Sequence, residues 1–184
     1  MWLRRKLQRL IDFSLDHFAL FGLPRRYRVD PAELDRSYRA LQHEIHPDRH
    51  AASDEAQRRV AEQGSARVNE AYRTLKNPVS RGNYLLSLQG LDPLSESNTS
   101  LPLEFLEHEL ERRESVAEAH ERRDSSRLDE LRREVLADAA ALESRLAEQL
   151  EREAWADAQD AVRELKFLAK VGDDIEAALS EVEG

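Results

Sequence analysis

A chain of 184 residues that is 40% hydrophobic and 35% charged, with six Gly and six Pro, has room for one or two small domains and favours long, rarely interrupted helices. A net charge of −9 and a sequence pI near 5.3 argue against non-specific nucleic-acid binding, which needs a surplus of Lys and Arg to neutralise phosphates. The absence of Cys excludes disulfides, thiolate catalysis and Cys-ligated metal sites, and no apolar run approaches the roughly 20 residues that span a bilayer, so a soluble protein is expected.

Residues 1-15 carry Arg4, Arg5, Lys6 and Arg9 among Trp2, Leu3, Leu7, Leu10 and Ile11, with no acid before Asp12. This reads as an N-terminal amphipathic extension. An Arg-rich targeting or surface-seeking helix is the alternative, and the segment lacks the uninterrupted apolar core of a secretory signal. Asp16 to Leu23, DHFALFGL, predicts a short helix that offers Phe18, Leu20, Phe21 and Leu23 to a core and is closed by Gly22 and Pro24. After Arg25-Arg26-Tyr27-Arg28, Asp30-Pro31 supplies an N-cap followed by proline at the first helical position. The second helix runs to about Ile45. Leu34, Tyr38, Leu41 and Ile45 form one stripe, and Arg36, Arg39 and His43 project from roughly the opposite side.

At His46-Pro47-Asp48 the proline cannot continue a helix and pushes the residue before it out of helical geometry, which predicts a turn at the tip of a helix hairpin. The third helix starts near Ser53-Asp54, repeats Val60, Gly64, Val68, Ala71 and Leu75 with Tyr72 beside them, and ends at Asn77-Pro78. A connecting helix of about two turns is expected between Ser80 and Gly90, and 91-101, rich in Ser, Asn, Thr, Asp and Pro, reads as a linker. Beyond it three helices are predicted, Pro102 to about Glu121, Ser125 to about Arg152 and Glu153 to about Val182. The middle one has a near-heptad stripe of Leu128, Leu131, Val135, Ala139, Leu142, Leu146 and Leu150 that a three-helix bundle buries economically.

His43, His46, Asp48 and His50 have the side chains of a zinc site, but Pro47 breaks the spacing that would gather them on one helix face, and no distant ligand completes the set. A His46/Asp48 acid-base pair lacks an accompanying nucleophile or pocket. The favoured reading is a recognition loop, in which Asp48 enters an Arg-containing cleft of a partner while the basic helix face meets an acidic surface. In the first bundle helix Leu103, Leu106, Leu110 and Ala117 share a face, and Glu107, Glu111, Glu114 and Glu118 lie immediately beside it. Spacing alone makes the leucines core and the acids a solvated flank. In the last helix Trp155, Ala158, Val162, Leu165 and Ala169 form the expected packing stripe, and Phe167 lies off it, either covered by another element or offered to a partner.

With these residues in view, Asp16 to about Pro78 resembles a J-domain. That resemblance implies binding to a DnaK-type ATPase chaperone and stimulation of its ATP hydrolysis, with His46, Pro47 and Asp48 carrying the signal and Arg36, Arg39 and His43 forming the docking face. The stretches DHFALFGLP, SARVNEAYRTLKNPVSRGNYLLSLQG, FLEHELERRE and VRELKFLAKV are similar, more narrowly, to the HscB type of J-protein, the co-chaperone of iron–sulfur cluster assembly. The resemblance implies an all-helical, L-shaped chain: J-domain and connecting helix over 16-90, linker over 91-101, and a C-terminal three-helix bundle over 102-184. It further implies that an HscA-type chaperone is the ATPase partner and that an IscU-type scaffold protein binds at Leu106, Leu110, Glu111, Glu114, Glu118 and Phe167. Glu107 departs from the apolar residue expected of the family, which makes the patch smaller, weaker or displaced. No enzyme activity, cofactor or metal is expected, and the setting is the bacterial cytoplasm, with the mitochondrial matrix as the alternative. A general J-protein for other clients lacks support because the chain has no Gly/Phe-rich linker and no Cys-rich zinc module. A helical adaptor without chaperone contact leaves the His-Pro-Asp loop unexplained.

Overall fold

The computed structural model describes residues 15–45, 55–95 and 100–183, and every regular element among them is a helix. They are α1 (His17–Phe21), α2 (Pro31–Ile45), α3 (Glu55–Lys76), α4 (Pro78–Ser87), α5 (Leu103–Glu121), α6 (Ser125–Glu151) and α7 (Trp155–Glu183). None of them is long and apolar enough to cross a membrane. The chain divides into two compact units between Leu85 and Leu86.

In the first unit, α1 begins where the sequence provides a cap. Asp16 is extended, and its carboxylate accepts the Ala19 N–H at 2.8 Å. The helix ends at Gly22, whose φ of 70° is the left-handed geometry that glycine adopts without a Cβ penalty. Phe18, Leu20, Phe21 and Leu23 are buried as the apolar pattern predicts. Helices α2 and α3 run antiparallel, with Leu34 and Ile45 facing Ala61, Val68, Ala71 and Leu75 in the core. One edge of this hairpin is clasped by aromatic and polar contacts. Tyr38 stacks on Tyr72 with ring centroids 4.0 Å apart, the Tyr38 hydroxyl donates to Asn69 Oδ1 at 2.9 Å, and the Tyr72 hydroxyl donates to Asp35 Oδ1 at 2.8 Å.

Helix α4 starts at Pro78, two residues earlier than the Ser80 predicted, because Asn77 and Pro78 act together. Asn77 Oδ1 accepts the Ser80 N–H at 2.9 Å, and proline takes the first helical position, where its missing N–H costs nothing. Its Tyr84 stacks on His17 at 4.1 Å and accepts the His17 N–H at 2.9 Å, which ties α4 to the start of α1.

The second unit is built on the antiparallel pair α6 and α7. Leu128, Leu131, Val135, Leu142 and Leu146 of α6 meet Ala158, Val162, Leu165, Leu168, Val171, Ile175 and Leu179 of α7. The predicted α6 stripe is the buried one, although Ala139 and Leu150 are only half-buried. The α7 stripe differs from expectation, since Ala169 is exposed and the core line continues through Leu168, Val171 and Ile175. The predicted stripe steps alternately by three and four, whereas the observed line takes three successive steps of three from Val162 through Leu165 and Leu168 to Val171, which buries the larger Leu168 in place of Ala169. Asp124 caps α6 by accepting the Arg127 N–H at 3.0 Å, and Arg123 at the preceding turn donates to the Val182 carbonyl at 2.7 Å, holding the end of α7.

Asp16 provides a pH-dependent test of this architecture. Burial pushes its carboxyl up, but the Ala19 N–H and the Arg25 guanidinium together outweigh burial and hold it below its ordinary value. A carboxyl depressed in the folded state stabilises above its unfolded pKa, and this contribution is lost as pH falls through the folded pKa. Asp16→Ala is expected to cost about 0.5–2 kcal/mol at neutral pH. In thermal melts across pH, the gap from the parent protein should shrink below about pH 4 as the carboxyl protonates.

Candidate functional site

On the first unit, Arg36, Arg39 and His43 are all exposed on α2, across the helix from buried Leu34 and Ile45. Their spacing puts them on one solvent face, and none of the three has an ion-pair partner among the described residues. The Tyr38–Tyr72 clasp sets the rotation of α2 against α3 and therefore where this basic face looks. His46, Pro47 and Asp48 lie outside the described residues, as do His50 and all but Leu15 of the 1-15 extension. Among the described residues no group of His, Asp and Glu is arranged to hold a metal ion.

In the second unit, α5 reverses what its spacing predicts. Leu103 is 70% exposed, Leu106 40% and Leu110 60%, and Ala117 is also exposed, whereas Glu109 and Arg112 are buried at 1% and 5%. The expectation that the leucines form core is therefore wrong, and the reason is electrostatic. Arg112 Nη2 pairs with Asp138 of α6, and Arg112 Nη1 lies 3.3 Å from Glu109 Oε1. The same Glu109 oxygen is 3.3 Å from His108 Nδ1. Two turns further along α6, Arg145 pairs with the buried Glu164 of α7. Removing charges from water is costly unless they are paired, and here each buried charge has a partner of opposite sign. Glu109 has its partners on α5 itself, and it is the Arg112–Asp138 pair that forms only with this face of α5 turned inward. Phe105, Val116 and Ala119 add the apolar part of the contact.

With its charged seam inward, α5 presents an apolar ridge of Leu103, Leu106, Leu110 and Ala117 to solvent. Glu107, Glu111, Glu114 and Glu118 are all exposed beside it, so the structure brings five of the six expected scaffold-facing residues onto one helix face or its flank. The sixth, Phe167, reaches the other flank from α7. It is half-buried, meeting Phe105 edge-on with ring centroids 5.6 Å apart and lying 4.7 Å beneath the Arg113 guanidinium. Of the two sequence-level possibilities, partial cover by another element is thus what occurs, with Phe105 and Arg113 supplying the cover. Glu107 sits within the acidic flank and leaves the leucine ridge continuous.

Sequence reasoning missed Phe105, Arg113, Glu109 and Arg112. The i,i+3 spacing of Glu109 and Arg112 was visible, but the same spacing is ordinary on a solvated face. Nothing on α5 itself signals that Asp138, on another helix, completes the set.

Comparison with known proteins follows the same division of the chain. A family model described as DnaJ domain matches residues 16–84, and one described as HSCB C-terminal oligomerisation domain matches residues 101–176. The co-chaperone protein HscB homolog of Burkholderia multivorans is 41% identical over 174 residues, covering 95% of this chain and 99% of that protein. That of Cupriavidus taiwanensis is 44% identical over 168 residues, with 91% and 96% covered. Among solved structures, chaperone HscB from Vibrio cholerae superposes with a TM-score of 0.82 at 34% identity, over 91% of this chain and 99% of that one. The human co-chaperone protein HscB gives 0.82 at 27% identity, over 90% and 83%.

Replacing Arg112 by Ala leaves Glu109 buried without its cation. The expected cost is roughly 3–5 kcal/mol, toward the lower end because Asp138 is half in solvent. Glu114→Ala on the exposed flank should stay within about 0.5 kcal/mol. Urea denaturation of the two variants checks the contrast.

Proposed function

The chain belongs to the HscB family of J-domain co-chaperones, which serve iron–sulfur cluster assembly, and on that premise we propose that it couples delivery of a scaffold protein to ATP hydrolysis by a partner chaperone. In this reading His46, Pro47 and Asp48 stimulate the ATPase of a DnaK-type chaperone specialised for this pathway, the HscA type. Arg36, Arg39 and His43 meet an acidic surface of that chaperone and steer the encounter. Residues 16-90 form the chaperone-facing domain, 91-101 the linker and 102-184 the cargo-facing domain. The cargo is an IscU-type iron–sulfur scaffold, held by Leu106, Leu110, Glu111, Glu114, Glu118 and the surroundings of Phe167. Any cluster involved is cargo on the scaffold, and this chain contributes binding energy and geometry without covalent chemistry. The proposed setting is the bacterial cytoplasm, in keeping with the bacterial relatives.

The observation that carries the cargo half of this proposal is the exposed leucine ridge on α5. A bundle that buries charges and leaves leucines in water has an apolar surface suited to a partner. Fully burying one leucine is worth roughly 1.5–3 kcal/mol. The three partly exposed leucines fall short of the ~8 kcal/mol that a micromolar complex requires. The acidic flank and the Phe167 side therefore have to contribute, which is consistent with a site that is apolar at its centre and charged at its rim.

The chaperone half is tested by the steady-state ATPase of an HscA-type chaperone titrated with this protein. The parent chain should stimulate, and Asp48→Asn should abolish stimulation while its helicity and scaffold binding are retained. Arg36→Ala combined with Arg39→Ala should raise the half-maximal concentration and flatten the salt dependence. Stimulation that survives Asp48→Asn would rule out the His-Pro-Asp loop as the signal.

A further inference from the structure

On the side of the leucine ridge away from the acidic stripe, the surface charge changes sign. A groove of about 550 Å³ opens there, with Phe167 and Ala169 in its wall and Arg113, Arg163, Lys166 and Lys170 around it, against one lining carboxylate, Asp173. Two of the four cations are already engaged. Arg163 donates to the Ser100 carbonyl at 2.9 Å and pairs with Asp160, and Lys170 lies 3.5 Å from Asp174. Arg113 and Lys166 have no carboxylate partner among the described residues. Arg113 is held in place by stacking on Phe167, so little further side-chain freedom is lost when its outer edge pairs with an anion. In a chain of net charge −9, a concave site with an apolar wall and two unpaired cations concentrates a positive potential where the rest of the surface is mainly negative.

We propose that this groove receives an acidic segment of the bound scaffold protein, its carboxylates meeting Arg113 and Lys166 and an apolar side chain resting against Phe167. The proposal rests on the reading that an IscU-type scaffold docks on the leucine ridge, and it adds a direction to that docking. Across the ridge the charge runs from the glutamates of α5 to the cations of the groove, so a matching partner carries basic residues on one side of its own apolar patch and acidic residues on the other. Docking in the reverse sense sets like charges against each other on both flanks, which is the repulsive element that specificity needs. The groove has the volume of a small-ligand pocket, which suits a few side chains of an extended segment rather than a folded element.

The test is calorimetric titration of an IscU-type scaffold into the intact protein and into a Lys166→Glu variant of parent helicity and melting temperature, each at low and high salt. The expected result is an affinity loss of about tenfold or more at low salt, with a shallower salt dependence, and Lys166→Arg retaining parent affinity. If the intact protein binds and the charge-reversed variant binds equally well with the same salt dependence, the groove proposal is overturned while the leucine ridge stands. If the intact protein shows no binding, the scaffold reading fails, and the groove proposal fails with it.

Discussion

The pairing of buried Arg112 with Glu109 and Asp138 is the constraint on which the second unit of this protein depends. A helix carrying leucines at positions 103, 106 and 110 ordinarily turns them inward, because each leucine removed from water is worth a few kcal/mol. Here α5 places its charges inside and its leucines outside. Buried ion pairs seldom add net stability over apolar residues of similar size, so this seam is a poor choice for stability alone. What it provides is a defined rotation. Arg112 reaches Asp138 with one face of α5 toward α6 and α7, and that rotation commits the ridge and its acidic flank to solvent. Phe105 and Arg113, bracketing Phe167, fix the other border.

The first unit solves a related problem with other chemistry. Its exposed α2 face is basic, and the helix bearing it is held by a stacked tyrosine pair with hydroxyl bonds to Asn69 and Asp35, as well as by Leu34 and Ile45 in the core. The tyrosines contribute apolar contact and directional bonds together, so α2 is fixed in both depth and rotation. In each unit a polar interaction helps to set which face of a helix is left in solvent, while a conventional apolar core supplies most of the stability.

Much of this was legible in the amino-acid sequence because it is local. Asp16, Gly22, Asp30-Pro31 and Asn77-Pro78 mark helix ends through capping and backbone geometry that involve only neighbouring residues, and the α6 stripe follows from periodicity. The J-domain and HscB resemblance was carried by short motifs and is matched by the family comparisons. What periodicity misread was the facing of α5, since an amphipathic pattern says that two faces differ without saying which is buried when a charge on another helix can compensate the polar one. The α7 stripe was misread for a smaller reason: strict alternation of steps of three and four leads to Ala169, whereas the core line takes three steps of three in a row and buries the larger Leu168 instead. The groove beside Phe167 was not legible at all, because its cations come from α5 and α7 and only the bundle brings them together.

The central claim is that the outward leucines of α5 are the cargo-docking surface, and its most direct test is calorimetric titration of an IscU-type scaffold into the parent protein and into a Leu106→Ala, Leu110→Ala variant. Because both side chains stand substantially in solvent, the variant should keep the parent melting temperature within a few degrees, and scaffold binding should fall below detection. Binding of parent affinity to that still-folded variant would contradict the account, since the charged seam would then expose two leucines that the partner does not use.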